Sequence, residues 1–327
     1  MAFYLSVMMA LAFAVTNGFH DAANAIATLV ATRVARPLPA VILASVFNLL
    51  GPFVVGAAVA DTVASLVQVP AADTIPVIGA GLTGAVIWNL LTWRRGLPAS
   101  SSHALVGGLV GAALAAGFGM DAVAWGPVGK VMLALALSPL LGFLAALGLE
   151  AVARRGLQRA TIAVNRPIRG AQWVTSAWLA FSHGSNDAQK GVGILAVLLF
   201  ANGTTTSIES MPWEIVACSL ALTAGTAMGG WSIVRTIGSR IVRLRPLDGL
   251  ASQASSAGLI LAASFLGAPV STTQVVSSSV VGTGIGRGRR RHVRWQVVRE
   301  ILIAWVTTLP AAGILAALSL PFWRWLA

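Results

Sequence analysis

Residues 181–190, FSHGSNDAQK, constrain this chain more than any other stretch. They lie inside an apolar run from about 173 to 200, long enough to cross a bilayer. His183, Asn186, Asp187, Gln189 and Lys190 crowd into that run. An Asp or Lys at the centre of a membrane helix costs about 2.5–3.5 kcal/mol on insertion scales. So many polar groups together must face protein or water, not lipid. Polar glue between helices is the simpler alternative, but it ordinarily needs one Ser, Thr or Asn. Gly184 sits among these groups and would let the backbone bend or unwind. A broken helix is therefore expected here, with freed carbonyl and amide groups joining the side chains around an ion or polar solute.

The pattern occurs once more. Residues 17–24 read NGFHDAAN inside the apolar run 3–30. Gly18 aligns with Gly184, His20 with Asn186, Asp21 with Asp187 and Asn24 with Lys190, all at an offset of 166. A polar break in corresponding positions of two halves is the best sequence pointer to a transporter's central site.

Composition sets the class. Of 327 residues, 57% are hydrophobic and only 10% charged, which excludes an ordinary soluble domain and predicts a multi-spanning membrane protein. The first apolar run lacks a basic leader and carries the polar break, unlike a cleaved signal peptide. The single cysteine, Cys218, excludes an internal disulfide and a cysteine metal cluster, and reads as a packed, inert thiol. The net charge of +12 would suggest nucleic acid in a soluble protein, but the placement of the arginines excludes that partner. They group at Arg33 and Arg36, at Arg94 and Arg95, at Arg154, Arg155, Arg159, Arg166 and Arg169, at Arg235, Arg240, Arg243 and Arg245, and across 287–294. The intervening loops 61–73, 119–125, 201–212 and 267–268 hold no Lys or Arg. This alternation is the positive-inside pattern, with the basic loops cytoplasmic.

Ten apolar segments follow, at about 3–30, 38–60, 74–93, 98–117, 124–149, 171–200, 211–230, 249–267, 269–286 and 296–320. With one crossing each, both termini lie outside. Five crossings per half is odd, so the second half enters from the opposite side. The expected fold is an all-α integral membrane protein of two inverted-topology repeats of about five segments each, with broken helices at the midplane. Residues 1–150 form the first repeat, 151–170 a cytoplasmic basic linker and 171–327 the second repeat.

A second repeated motif supports the duplication. PASSSH begins at Pro98 and PVSTTQ at Pro269, an offset of 171 that also relates Gly111 to Gly282, Pro139 to Pro310 and Gly142 to Gly313. Ser100, Ser101 and Ser102 thus align with Ser271, Thr272 and Thr273. Each cluster follows a proline near the start of an apolar segment. Proline suits a helix's first turn, and the next N–H groups lack intrahelical partners and carry the positive end of the dipole. With three hydroxyls added, each cluster reads as a neutral anion cradle, or more plainly as a helix cap with tight small-residue packing. The segments either cross fully or are partly re-entrant.

Where clusters and breaks converge, hydroxyl and amide donors with little fixed positive charge suit a tetrahedral oxyanion. Asp21 and Asp187 would repel it unless each holds a cation or proton that travels with the anion, the physical basis of obligate symport. Lys190 either pairs with Asp187 three positions earlier or reaches the anion directly. His183 and His103 either serve the site or hydrogen-bond a neighbouring helix. Asn48 and Asn89 read as interhelical glue, and Glu300 and Lys130 as interfacial.

NGFHDAANAIAT, PASSSHALVGG, FSHGSNDAQKGVGI and PVSTTQVVSSSVVG resemble, in order and spacing, the paired motifs of the inorganic phosphate transporter (Pit/PiT) family. The likeness spans nearly the whole chain. It implies a secondary transporter, not an enzyme, that moves inorganic phosphate with a cation, works as a homodimer and sits in the plasma (inner) membrane. Carried onto this chain, Ser100, Ser101, Ser102, Ser271, Thr272, Thr273, Asn24, Asn186, Gln189 and Lys190 would bind phosphate. Asp21, Asp187, His20 and Asn17 would hold the coupling ion, with no cofactor and no firm metal site. Gln274 departs from the family's more frequent histidine.

Other classes fit less well. A channel repeats one sign of charge around a pore, whereas donors and carboxylates mix here. There is no HExxH and no evident nucleophile–base pair for an enzyme. Among anions, sulfate lacks the proton that phosphate retains at neutral pH and that a carboxylate can accept a bond from, so phosphate is favoured. For the coupling ion, His20 beside Asp21 suits a proton, because imidazole offers nitrogen and titrates near neutral pH. Na⁺, or a divalent metal co-transported with phosphate, is the alternative.

Overall fold

The computed structural model describes residues 1–288 and 290–327; Arg289, in the fifth basic group, lies outside them. Among the described residues the chain is helical, and its one β contact is an isolated bridge between Val67 and Val123. Helix α1 (Ala2–Ala31) leads into a bent pair, α2 (Pro37–Leu50) and α3 (Ala58–Ala64), and then into α4 (Ala71–Arg94), α5 (Ser101–Ala115) and α6 (Trp125–Gly156). The order then repeats. Helix α7 (Asn165–Ala201) leads into a bent pair, α8 (Pro212–Met228) and α9 (Trp231–Arg235), and then into α10 (Pro246–Phe265), α11 (Thr272–Gly286) and α12 (Trp295–Leu326). A π turn, Thr236–Arg240, extends α9.

Packing repeats in the same way. Helix α1 packs on α8 as α7 packs on α2, and α12 packs on α4 and α5 as α6 packs on α10 and α11. The first and last helices of each set thus cross to the other, and neither set buries its apolar faces alone. Two apolar cores result. One joins Phe13 of α1 to Leu82, Leu105 and Leu195, and the other joins Ile26 of the same helix to Leu179, Ile233 and Val276. The polar motifs lie between them on α1, α7 and the starts of α5 and α11.

The breaks are not where the motifs suggested. Helices α1 and α7 run unbroken through Gly18 and Gly184. Both glycines instead permit close helix packing. A Cβ on Gly18 would stand 2.9 Å from Thr226 N of α8, and one on Gly184 2.8 Å from Asn48 Cα of α2. The real bends separate α2 from α3 (77°) and α8 from α9 (59°). Gly56 and Gly229 lie at these bends with φ of +80° and +67°, a left-handed backbone that favours glycine.

Among the described residues, helices α1, α4, α6 and α12 are each long and apolar enough to cross a membrane, and counting each bent pair as one span gives six. The expectation of ten apolar spans is therefore met only in part. Helix α7 carries the charged motif, α10 buries Ser252, Gln253 and Ser256, and α5 and α11 each rise only about 22 Å over 15 residues. The chain after α5 nevertheless returns to the end where α4 began. Gln68 N donates to Ala122 O (2.9 Å) and Ala124 N to Leu66 O (3.1 Å). Likewise Arg294 N donates to Ile241 O (2.9 Å), just ahead of α10.

The loops sort by charge. Arg169 Nη2 donates to Arg33 O (2.7 Å) and Thr236 Oγ1 to Gly96 O (2.8 Å), so basic stretches meet basic stretches. Thr62 Oγ1 of α3 donates to Gly267 O (2.8 Å), joining two stretches without Lys or Arg. The stretch 151–170 is shorter as a connection than its charge suggested. Helix α6 runs to Gly156 and α7 starts at Asn165, so Arg154, Arg155, Arg166 and Arg169 are helical.

Matching ion pairs fasten the two ends. Near the end of α12, Arg324 pairs with Asp73 in the first turn of α4 (2.9 Å) and donates to Ala116 O at the end of α5 (2.6 Å). Near the end of α6, Arg154 lies 3.5 Å from Asp248 in the first turn of α10 and 2.6 Å from Glu150. Arg287, capping α11, pairs with the same Asp248 (2.9 Å).

Close packing at Gly184 has a measurable consequence. Gly184→Ala is expected to destabilise by about 1–3 kcal/mol, the usual cost of overpacking. Gly148→Ala, with open space around the added methyl, should stay neutral or gain slightly. Thermal unfolding in detergent checks both.

Candidate functional site

Helices α5 and α11 begin at the polar layer, one leading into each apolar core. Ser100 and Ser271 are their N-caps, with extended backbones and hydroxyls accepting from His103 N (3.1 Å) and Gln274 N (3.3 Å). Capping satisfies one donor of a first turn and leaves others, with the positive dipole end, directed into the layer. Two helix starts therefore serve one site.

Asp21 and Asp187 share that site. Each offers a carboxylate oxygen, and His183 a ring nitrogen, within 4.8 Å of one another, and all three are buried. Asp21 accepts from Ser101 Oγ (2.8 Å) and from Thr273 Oγ1 (2.7 Å), one donor from each half, and meets His20 Nδ1 at 2.7 Å. Asp187 accepts from Thr272 Oγ1 (3.2 Å) and is paired with Lys190. His183 Nε2 lies 3.0 Å from Asp187 Oδ2, one helical turn away, but is not aligned for a hydrogen bond.

Lys190 also donates to Ser102 Oγ (2.7 Å) and Val270 O (3.2 Å), and Ser102 Oγ donates to Val270 O (2.9 Å). Its partner by repeat, Asn24, donates through Nδ2 to Thr272 Oγ1 (3.2 Å) and Thr273 Oγ1 (3.0 Å). Each motif thus reaches the hydroxyl cluster of the opposite half.

Several residues expected at the site have other tasks in the structure. The hydroxyls of Ser100 and Ser271 cap helices, and those of Ser101, Thr272 and Thr273 donate to the aspartates, so the cluster is not an open cradle. Gln189, expected to bind phosphate, accepts through Oε1 from Val59 N (2.9 Å) and donates through Nε2 to Ser185 O (2.7 Å). It caps the start of α3 from α7. Asn186 donates to Ser264 Oγ (3.0 Å) and Ala268 O (3.1 Å), while its Oδ1 is buried without a partner among the described residues. Asn17 is buried, and neither polar atom of its side chain has a partner among those residues.

Of the flanking residues, His183 does bond a neighbouring helix, through Nδ1 to Asn48 Oδ1 (3.0 Å). Asn48 donates onward to Thr226 Oγ1 (2.9 Å), joining α2, α7 and α8. His103 Nδ1 stays near its own cap, 2.8 Å from Ser100 Oγ. Thr92 of α4 is a site neighbour that no sequence signal marks. Its Oγ1 lies 3.1 Å from His20 Nε2 and donates to Trp88 O (2.9 Å). No motif flags a single threonine in an apolar helix. The nearness of His183 to Asp187 was readable from their i, i+4 spacing.

The model of the phosphate transporter family matches residues 17–165 and 154–316 of this chain. The chain belongs to that family. A probable low-affinity inorganic phosphate transporter of Rhizobium meliloti is 43% identical over 314 residues, covering 95% of this chain and 93% of that one. A protein of the same description from Bacillus subtilis is 40% identical over 319 residues, covering 96% and 95%. A solved structure, described as the sodium-dependent phosphate transporter, superposes with a TM-score of 0.87 at 23% identity, over 99% of this chain and 98% of that one. The chain is therefore a membrane transporter and not an enzyme, and its fold is shared along its whole length.

The transporter's hydroxyl donors are expected to be worth more than neutral hydrogen bonds because they serve carboxylates. Thr273→Val should destabilise by about 1.5–3 kcal/mol, the range for bonds to charged groups, while Thr273→Ser should avoid most of that loss. Thermal midpoints of the two variants in detergent check the difference.

Proposed function

We propose that this chain is a proton-coupled symporter of inorganic phosphate, working as two inverted repeats, 1–150 and 171–327. The observation that carries the reading is the convergence of two helix starts and their hydroxyls on Asp21, Asp187 and Lys190. Donors gathered there can turn from carboxylate to anion when a cation neutralises the carboxylates. A protonated phosphate can donate to an aspartate that would repel sulfate. The names of the relatives support phosphate as the cargo. The alternation of basic loops supports cytoplasmic basic ends with both termini outside. A homodimer in the plasma (inner) membrane is the proposed assembly, on the family resemblance.

The proton is assigned to His20 and Asp21. When Thr92 donates to Trp88 O, its oxygen accepts from His20 Nε2. His20 and Asp21 then hold one proton between them in excess of a neutral imidazole and a bare carboxylate. When the Thr92 hydroxyl turns to Nε2, the proton on Nε2 has been released and the neutral imidazole still donates through Nδ1 to the carboxylate. Both states keep His20 satisfied, so loading strands no buried donor. The loaded pair is neutral and Lys190 offsets Asp187, so an anion meets no net negative charge. Unloaded, the site holds one uncompensated carboxylate, which opposes anion entry. Asn17, Asn24, Asn186 and the hydroxyl clusters would shape the site around the two ions.

A divalent metal carried with phosphate is the second reading, favoured by the proximity of Asp21, His183 and Asp187. Lys190 on Asp187 competes with it. Sodium coupling, as in the name of the structural neighbour, is the third.

Proteoliposome uptake tests all three. Labelled phosphate should enter on an imposed pH gradient without sodium or divalent cations, and sulfate should not compete. Asp21→Asn should abolish coupled uptake yet remain folded, since losing a buried charge relieves desolvation. Asp187→Asn should abolish it and also lower the thermal midpoint, because the buried ammonium of Lys190 is left uncompensated. Thr92→Val should slow uptake and change its pH dependence, whereas Thr92→Ser should not. A strict requirement for sodium or for a divalent metal would replace the proton, and equal inhibition by sulfate would remove phosphate specificity.

A further inference from the structure

Lys190 is 1% exposed, and its ammonium is held by oxygens from three parts of the chain. They are a carboxylate oxygen of Asp187 on α7, the hydroxyl of Ser102 on α5, and the carbonyl of Val270 just ahead of α11. Carboxylate, hydroxyl and non-helical carbonyl oxygens are the ligands that transporter sites offer to alkali cations. An ammonium satisfies the same set by donating its three N–H groups.

The molecule supplies its own comparison. At the matching place in the first repeat stands Asn24, which is uncharged and bonds Thr272 and Thr273. Among the described residues, the group that can carry positive charge within bonding distance of Asp21 is His20. One aspartate has a permanent cation on its own helix, and the other does not.

We propose that Lys190 is a tethered coupling cation. Its ammonium fills the cation position beside Asp187 throughout the cycle, so that Asp21 alone exchanges a cation with the medium. This rests on the reading of Asp21 as the exchanging carboxylate. Lys190 then sets the stoichiometry, because it removes one of two carboxylate charges that a mobile ion would otherwise neutralise. A bridge that merely held α7 to α5 would have no such effect, since replacing Lys190 by Asn or Ala would then create no place for a cation.

The first experiment uses Lys190→Asn, which copies the first repeat. In N-methylglucamine medium with a pH gradient it should lose phosphate uptake. Sodium or lithium should restore uptake, and the reversal potential should show one more positive charge per phosphate than in wild type. Binding provides a readout independent of transport. Sodium should raise the thermal midpoint of detergent-solubilised Lys190→Asn, and methylammonium that of Lys190→Ala, while wild type should not move.

Three results would overturn the proposal. One is folded Lys190→Asn that neither binds sodium nor depends on it. Another is uptake by that variant with unchanged charge per phosphate. The third needs no lysine variant: a sodium-induced shift of wild type that Asp187→Asn abolishes. Failure of wild type to take up phosphate on a pH gradient would instead sink the parent reading, and the binding arms would still decide the role of Lys190.

Discussion

Two buried carboxylates close together dictate much of this molecule. Asp21 and Asp187 are 1% and 2% exposed and share a site with His183. At an effective dielectric near 20, like charges at that separation repel by roughly 3–4 kcal/mol, before the cost of desolvating each. The surroundings answer that cost. Thr273 and Ser101 donate to one carboxylate, Thr272 and Lys190 to the other, and the positive ends of α5 and α11 enter the same layer. Such a layer needs apolar packing on both sides, and the interlocked halves provide it.

The repeated order of helices lets one short chain assemble such a site. A single repeat supplies one aspartate, one hydroxyl cluster and one helix start. Doubling gives two of each, and the crossed packing lets Thr273 of one half serve Asp21 of the other. The copies differ where chemistry needs a difference. His20 stands opposite Asn186, and Asn24 opposite Lys190. A site with two identical carboxylate environments would load two like ions. Here both carboxylates have an imidazole near them, His20 at Asp21 and His183 at Asp187, but Asp187 has the ammonium of Lys190 as well, so the halves can divide the labour of neutralisation.

The sequence carried the site better than it carried the backbone. Asp21, Asp187, Lys190 and the hydroxyl clusters were legible because burying charge in an apolar run is costly, and doing so twice at one spacing is rarely accidental. The matched lengths of α5 and α11 followed from the 171-residue offset. The unbroken course of α1 and α7 was not legible. A glycine beside polar residues suits a bend or a close helix crossing equally, and only the neighbour decides. Gly18 meets the backbone of α8 and Gly184 that of α2, neither of which sequence spacing reveals. The bond from Val59 N at the start of α3 to Gln189 was illegible for a related reason, since the two lie far apart in sequence. Thr92 was silent because its role depends on a contact 72 residues away in sequence.

The ends of the bundle show how far the two-fold pattern extends and where it stops. Arg324 on Asp73 and Arg154 on Asp248 are counterparts, each joining a terminal helix to the first turn of a helix in the other half. Their settings differ. Arg324 and Asp73 are 40% and 24% exposed, and such a pair is worth about 0–1 kcal/mol. At the other end, Arg287 and Asp248 are 4% and 2% exposed, with Glu150 and Arg154 adjoining. Breaking a buried pair by removing one partner costs about 3–5 kcal/mol, because the remaining charge stays uncompensated. The two ends are thus closed by corresponding pairs with unequal sensitivity to the loss of a partner, and the more sensitive one lies at the end where the basic loops gather. The helix order repeats, and corresponding helices pair in both sets so that the halves interlock, whereas the charges over those pairings diverge.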